Sequence, residues 1–226
     1  MGPFAGAIEG PHQGQPVLTA GMPAGRARAA MVMLHGRGAT AEDILTLVGE
    51  LDRPDFAYLA PQAAGYAWYP YSFFAPISRN EPWLSSALAV LATILMRLME
   101  GGIAPERVIL LGFSQGACLA LEYAAGNARR YGGVVGLSGG LIGPEDAPRD
   151  YSGSLAGTPV FLGCSDVDPF IPKARVDLTA AVLERLGGAV TERIYPGMAH
   201  SVNQDEIAHV QRMMDTLVTD VKKEGI

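Results

Sequence analysis

The chain has 226 residues, 49% hydrophobic and 18% charged, with 17 Lys plus Arg against 23 Asp plus Glu for a net charge of −6. That length suits one large domain or two small ones with a sizeable core, and an acidic balance without a basic patch argues against nucleic acid as a partner. The 28 glycines and 16 prolines make up about a fifth of the chain, above the roughly 12% of an ordinary domain but below the ~25–30% that marks disorder, so they predict many tight turns in a folded protein.

In chain order, residues 1–15 are rich in Gly and Pro and predict a flexible lead-in to a single domain over 16–226. The first 25 residues lack a basic stretch followed by a clean apolar one, so no signal peptide is expected. Residues 29–34, AAMVML, are a continuous apolar run with glycines just after it, the pattern of a central parallel strand. After HGRGAT, Thr40 with Asp43 forms a capping-box pattern that opens a helix through about Gly49. FAYLA, 56–60, is a second short strand. The segment 61–82 is long for a loop and holds Tyr66, Trp68, Tyr69, Tyr71, Phe73 and Phe74. Such a loop either lines a pocket or packs a small core of its own. A helix over 83–99 follows, with Leu84, Leu88, Leu91, Leu95 and Leu98 spaced to lay one face on a sheet, and Gly101 and Gly102 end it.

VILLGF, 108–113, is the cleanest buried strand and runs straight into SQGACLALEYAAG, a helical stretch ending at Gly126. Strands over 132–139 and 159–164 are separated by a turn-rich loop. Pro172 opens a helix that ends at Gly187, with Val176, Leu183 and Leu186 facing inward, and AVTERIY, 189–195, is the last strand. Asn203 with Glu206 is a second capping-box pattern, starting a final helix through about Val221 striped by Ile207, Val210, Met214 and Leu217. Strands and helices thus alternate from residue 29 onward, without linker or repeat. This predicts one doubly wound α/β domain with a mostly parallel sheet, helices on both faces and a site at the carboxyl ends of the strands. No apolar run reaches the ~18–20 residues of a membrane span, so no stable membrane insertion is expected. Cys118 and Cys164 lie in apolar segments and read as buried thiols in keeping with a cytoplasmic location. His12, His35, His200 and His209 show no metal-ligand spacing, and no metal or other cofactor is expected.

Residues 112–116, Gly-Phe-Ser-Gln-Gly, place G-x-S-x-G between a strand and a helix, the setting of a nucleophile elbow. Gly112 and Gly116 leave room for the sharp turn, Ser114 projects its hydroxyl above the sheet edge, and the helix from Gln115 aims free N–H groups at the same place. Residues 136–140, Gly-Leu-Ser-Gly-Gly, match the same pattern, but a loop comes next instead of a helix. Ser138 is therefore expected beside the site and not as nucleophile. A serine needs a base, and the base an orienting acid, in the chain order Ser, acid, His. Beyond Ser114, His209 falls inside the final helix, whereas His200 lies in a loop after the last strand, so His200 is the expected base. Asp166 and Asp168 both come after the strand 159–164, and the residues alone barely separate them as the acid. Oxyanion donors are expected from the backbone N–H groups of Gln115 and, in the loop His35-Gly36-Arg37-Gly38, of Arg37, with His35 bonding that loop in place.

LHGRG (34–38), GFSQGA (112–117), SDVDPFIP (165–172) and GMAHSV (197–202) occur in this order over nearly the whole length. Together they resemble the phospholipase/carboxylesterase family of α/β-hydrolases, a group that includes bacterial carboxylesterases and acyl-protein thioesterases. The resemblance implies an α/β-hydrolase fold without a large lid domain. It points to the Asp of D-P-x-x-P, Asp168, as the acid with Asp166 as a neighbour, and it supports Ser114, His200 and the Arg37 and Gln115 amides. It implies a serine carboxylesterase acting on short- to medium-chain esters through an acyl-enzyme with no cofactor, or alternatively an acyl-protein thioesterase or lysophospholipase acting on longer chains. The chain departs from the family in reading Cys164-Ser165 where His-Gly often precedes the acid, and in placing the charge of Arg37 near the entrance. Its WYPYSFF loop resembles bacterial esterases more than eukaryotic thioesterases. Trp68, Tyr69, Phe73 and Phe74, with Trp83 beside them, are expected to line an open pocket unless they pack as the core of their own loop. A small-molecule ester is the expected partner, and the apolar loop 66–74 is where a homodimer would form.

Overall fold

The computed structural model describes residues 10–224. Its strands are β1 (Val17–Gly21), β2 (Ala29–Leu34), β3 (Phe56–Pro61), β4 (Val108–Phe113), β5 (Gly133–Leu137), β6 (Pro159–Ser165) and β7 (Ala189–Tyr195). They form one sheet in the order β1-β3-β2-β4-β5-β6-β7, with β1 antiparallel to β3 and the other pairs parallel. The helices are α1 (Ala41–Leu45), α2 (Val48–Leu51), α3 (Trp83–Glu100), α4 (Gln115–Gly126), α5 (Lys173–Arg185) and α6 (Gln204–Glu224).

The continuous apolar runs are central strands because both their faces are covered. Every residue of β2 is buried. Ala30, Val32 and Leu34 join one core with residues of α3, α4 and α5, while Ala29, Met31 and Met33 join a second core with α1 and α6. This is the period-two alternation of a strand between two helical layers. On α3, Leu84, Leu91, Leu95 and Leu98 are buried and Leu88 is half-buried; each fully buried leucine contributes about 1.5–3 kcal/mol. On α6, Ile207, Val210 and Met214 are buried and Leu217 packs at the margin of the same core.

Three expectations are corrected. Residues 17–21 form a strand, although no apolar run marks them. VLTAG is only half-buried, and its conformation comes from pairing with the edge of β3, from Val17 opposite Pro61 to Gly21 opposite Ala57. The helix opened by Thr40 ends at Leu45, with the four-residue α2 after a break, although the Thr40–Asp43 capping box itself is present. By length and composition α3, 18 residues at mean hydropathy 1.4, is apolar enough to cross a membrane; in the fold its leucines share one core with residues of β2, β4 and α4. Of the lead-in, residues 1–9 lie outside the described residues, and within 10–15 only His12 is buried, while 13–15 are exposed. Residues 10–15 form turns that bury His12 to 1% exposure, where its N–H donates to Ser86 Oγ at 3.0 Å.

Strand register sets up the site. Leu34 pairs with Gly112, Phe113 with Leu137, Leu137 with Gly163 and Ser165 with Tyr195. The loops after β2, β4, β6 and β7 therefore emerge side by side at one edge of the sheet, where α/β folds place their ligands.

Candidate active site

Ser114 sits between β4 and α4 with φ 55 and ψ −120, a conformation that costs a non-glycine residue about 1–3 kcal/mol and clusters at functional sites. The flanking glycines are obligatory. A Cβ on Gly112 would lie 2.2 Å from the carbonyl oxygen of Gly116, and one on Gly116 would lie 2.2 Å from that of Leu34. The turn is anchored by the Ser114 N–H donating to Leu137 O at 2.9 Å. Ser138 also has a positive φ of 50 at the end of its strand, but no helix comes after it and the residue is fully buried.

The loop after β7 brings His200 over the end of β6, where its Nδ1 lies 2.7 Å from Asp168 Oδ2. The Asp168 side chain is fully buried and that of His200 is 15% exposed. Burial opposes ionisation of Asp168, but the hydrogen bond from His200 and those from the N–H groups of Phe170 and Ile171, at 2.9 and 3.0 Å, outweigh it. The carboxyl therefore sits below the usual carboxylate range. Asp166 takes the other position in this loop pair, accepting the Gly197 N–H at 2.7 Å. Cys164, whose Sγ lies 3.8 Å from Asp168 Oδ2, is a buried thiol pushed up to about 12 by desolvation and by that carboxylate. Cys118 is likewise a free, buried thiol. His209 is half-buried on α6, stacked on Phe161 at 4.2 Å, away from this edge.

The loop after β2 passes close to Ser114: a Cβ on Gly36 would be 3.3 Å from Ser114 Cβ. His35 holds it. Its Nδ1 donates to Gly36 O at 2.8 Å and its Nε2 accepts the Ala63 N–H at 3.1 Å, which requires a neutral ring. Burial depresses its pKa in the same sense. Among the described residues the backbone N–H groups of Arg37 and Gln115 have no protein acceptor, and both residues line one cavity with Ser114 and His200. The guanidinium of Arg37 does not stand free at the entrance. It donates to the carbonyls of Tyr69, Pro70 and Tyr71 at 2.8, 2.9 and 2.7 Å.

That cavity has a volume of about 470 Å³, within the range of small-molecule sites. Of the aromatic residues expected in its wall, Tyr69 and Phe73 line it and Trp68 and Phe74 do not. Trp68 is fully buried beneath the loop. Its N–H donates to Gln115 Oε1 at 2.8 Å and its indole to His35 O at 2.9 Å, and its carbonyl accepts from His12 Nε2 at 2.9 Å. Phe74 turns onto the Arg175 guanidinium, 4.3 Å from its ring. Trp83 also lies outside the wall, packed edge-on against His12 at 5.3 Å. The rest of the wall, including Phe113, Cys118, Phe170 and Ile171, was missed from the sequence, although each lies within four residues of a candidate catalytic residue. His12 was missed as well. Its Nδ1 accepts the Ala64 N–H at 3.0 Å, so a second neutral histidine, its pKa lowered by burial, pins the aromatic loop. Among the described residues no group of three or more His, Cys, Asp or Glu side chains could hold a metal.

The phospholipase/carboxylesterase family profile matches residues 19–218. The crystal structure of a phospholipase/carboxylesterase from Dyadobacter fermentans superposes with a TM-score of 0.85 at 44% identity, covering 90% of this chain and 96% of that one. Acyl-protein thioesterase 1 of Saccharomyces cerevisiae is 29% identical over 205 residues, 80% of this chain and 89% of that protein. Acyl-protein thioesterase 1 of Gibberella zeae is 33% identical over 130 residues, 54% of this chain, and the match spans about half of that protein's length (52%).

Proposed function

Because the chain belongs to the phospholipase/carboxylesterase family of α/β-hydrolases, we propose that it is a serine carboxylesterase that cleaves short- to medium-chain carboxylic esters. Ser114 is the nucleophile, His200 the base and Asp168 the acid that orients it. The observation that carries this reading is the convergence of Ser114, His200 and the N–H groups of Arg37 and Gln115 on one cavity, with His200 tied to Asp168 at 2.7 Å.

With Nδ1 of His200 held by Asp168, Nε2 is left to take the Ser114 proton as the serine oxygen attacks the ester carbonyl. The carbonyl oxygen becomes an oxyanion, and the Arg37 and Gln115 N–H groups receive it; one such donor is worth about 2.7–4 kcal/mol. The tetrahedral intermediate collapses, the alcohol leaves with the proton from His200, and the acyl group stays on Ser114. Water, deprotonated by His200, repeats the sequence and frees the acid. The acyl chain occupies this cavity of about 470 Å³, whose wall includes Phe73, Cys118 and Ile171. A space of that size supports the reading of short and medium chains.

A second reading, release of longer acyl chains from thioesters or lysophospholipids, draws its support from the two relatives named acyl-protein thioesterase 1. A series of aryl esters and thioesters of increasing acyl length, with Ser114→Ala as control, decides between them. A rate maximum at C2–C6 supports the carboxylesterase. A steep rise beyond C10 replaces it with the second reading. Full activity in Ser114→Ala removes the proposed nucleophile.

A further inference from the structure

A second cavity of about 230 Å³ abuts the first, and the two share Gly36, Ala39 and Phe113. Its remaining wall is His35, Asp43 and Ile44 after β2, Thr46 and Leu47 in the turn after α1, and Val202 in the loop that also carries His200. The polar groups along it are already engaged. His35 is neutral and bonded on both ring nitrogens, and Asp43 Oδ2 accepts the Thr40 N–H at 2.8 Å. What remains is a largely apolar recess with the exposed Asp43 carboxylate on one side. An apolar cavity of about 150 Å³ holds benzene, so a recess of this size accepts a phenyl group with a short linker.

We propose that this recess is the subsite for the alcohol part of the ester, selecting apolar alcohols of roughly the size of 2-phenylethanol. The inference rests on the serine esterase reading above. Direction comes from chemistry. The acyl part stays on Ser114, whereas the leaving oxygen must face His200, which supplies its proton. The ring of Phe113 lies 4.9 Å from the His200 ring and forms the partition between the two cavities. Val202, two residues after His200, lies on the far side of it. Ser114 and His200 both line the first cavity, so a small alcohol part stays there, and a bulky one on the His200 side reaches past Phe113 into the second recess.

The test fills the recess from residues that touch neither Ser114 nor His200. Leu47→Trp places an indole in it. Thr46→Trp does so from an exposed position where a bulky side chain leaves the core intact. For each variant kcat/KM is measured on 2-phenylethyl butanoate and methyl butanoate, and along a methyl acetate, butanoate and hexanoate series, together with inhibition by 2-phenylethanol. The expected result is a tenfold or larger loss in the 2-phenylethyl to methyl ratio and a matching weakening of 2-phenylethanol inhibition, with methyl butanoate turnover and the acyl-length profile unchanged. An unmoved ratio in both variants, or a shifted acyl profile with the ratio intact, overturns the subsite alone. Hydrolysis of no ester by the wild-type protein overturns the esterase reading and the subsite with it.

Discussion

Asp166 and Asp168 grip the loop after β7 at two points: Asp166 Oδ1 accepts the Gly197 N–H at 2.7 Å, and Asp168 Oδ2 lies 2.7 Å from His200 Nδ1. The first bond fixes a glycine backbone at φ 65; the second fixes a ring and its tautomer. Asp168→Asn offers Nδ1 the wrong partner and is expected to lower kcat by about 10³–10⁴. Asp166→Asn keeps an oxygen for the Gly197 N–H and stays within about tenfold of wild type. Equal losses in steady-state kinetics on a short aryl ester would contradict this division of labour. Because the Asp168 pKa is depressed, its stabilising contribution is present above the usual carboxylate range and is lost as pH falls through its lowered value.

Arg37 acts on the pocket wall through its side chain and on the proposed oxyanion through its backbone. Arg37→Ala keeps the N–H and removes three hydrogen bonds to loop carbonyls. KM is expected to rise about tenfold with kcat little changed. Arg37→Lys restores the charge without the planar fork, so it recovers only part of the loss. A collapse of kcat at constant KM would instead place the guanidinium in transition-state stabilisation.

His12 and His35 are buried with lowered pKa values, so the fold holds them neutral. The unfolded chain binds their protons near the ordinary 6.5 and the folded one does not. Their contribution is therefore complete above pH 6.5 and is lost as pH falls below it. Thermal melts from pH 8 to pH 5 should show Tm dropping below 6.5, and His12→Gln should flatten that drop. His12→Ala leaves the Trp68 carbonyl and the Ala64 N–H unpaired and should destabilise by about 2–4 kcal/mol. A His12→Gln profile identical to wild type would remove His12 from the acid sensitivity.

Glu206 carries the opposite sign. It is fully buried, Oε2 accepts the Asn203 N–H at 2.8 Å, and among the described residues Oε1 has no partner. Desolvation, aided by Asp205, raises its pKa to about 7. The folded state then binds the proton more tightly than the unfolded chain, so stability falls as pH rises from about 4.5 to 7. Glu206→Gln keeps the acceptor for the cap and should gain on the order of 1–3 kcal/mol over wild type at pH 8 and little at pH 5. Denaturant titrations at the two pH values measure this; a larger gain at pH 5 would refute it.

Glycine substitutions separate the elbow from ordinary turns. Gly116→Ala drives a Cβ to 2.2 Å from a backbone oxygen that cannot move aside, and the folded protein should not be recovered. Gly38→Ala meets nothing within 4 Å and suffers only from its φ of 79, a loss of about 1 kcal/mol. Comparable soluble yields and midpoints for the two variants would mean that the turn at Ser114 is not as tight as the geometry requires.

The sequence by itself determined many of the features whose cause is local. The apolar runs of β2 and β4, the leucine spacing of α3, the two capping boxes and the strand-turn-helix around Ser114 are read within a few neighbouring residues, where periodicity and steric limits act. It told the setting of Ser114 from that of Ser138, because a helical stretch continues from the first and a loop from the second. Tertiary structure decided the rest because the causes are distant in the chain. The edge strand β1 exists through its pairing with β3. Trp68 leaves the cavity and Tyr69 lines it because Gln115, 47 positions from Trp68 in sequence, bonds the Trp68 N–H, while His35 and His12 take its other polar groups. Buried polar groups must find partners wherever the fold supplies them, and that requirement, more than the aromatic composition of the loop, set which rings face the cavity.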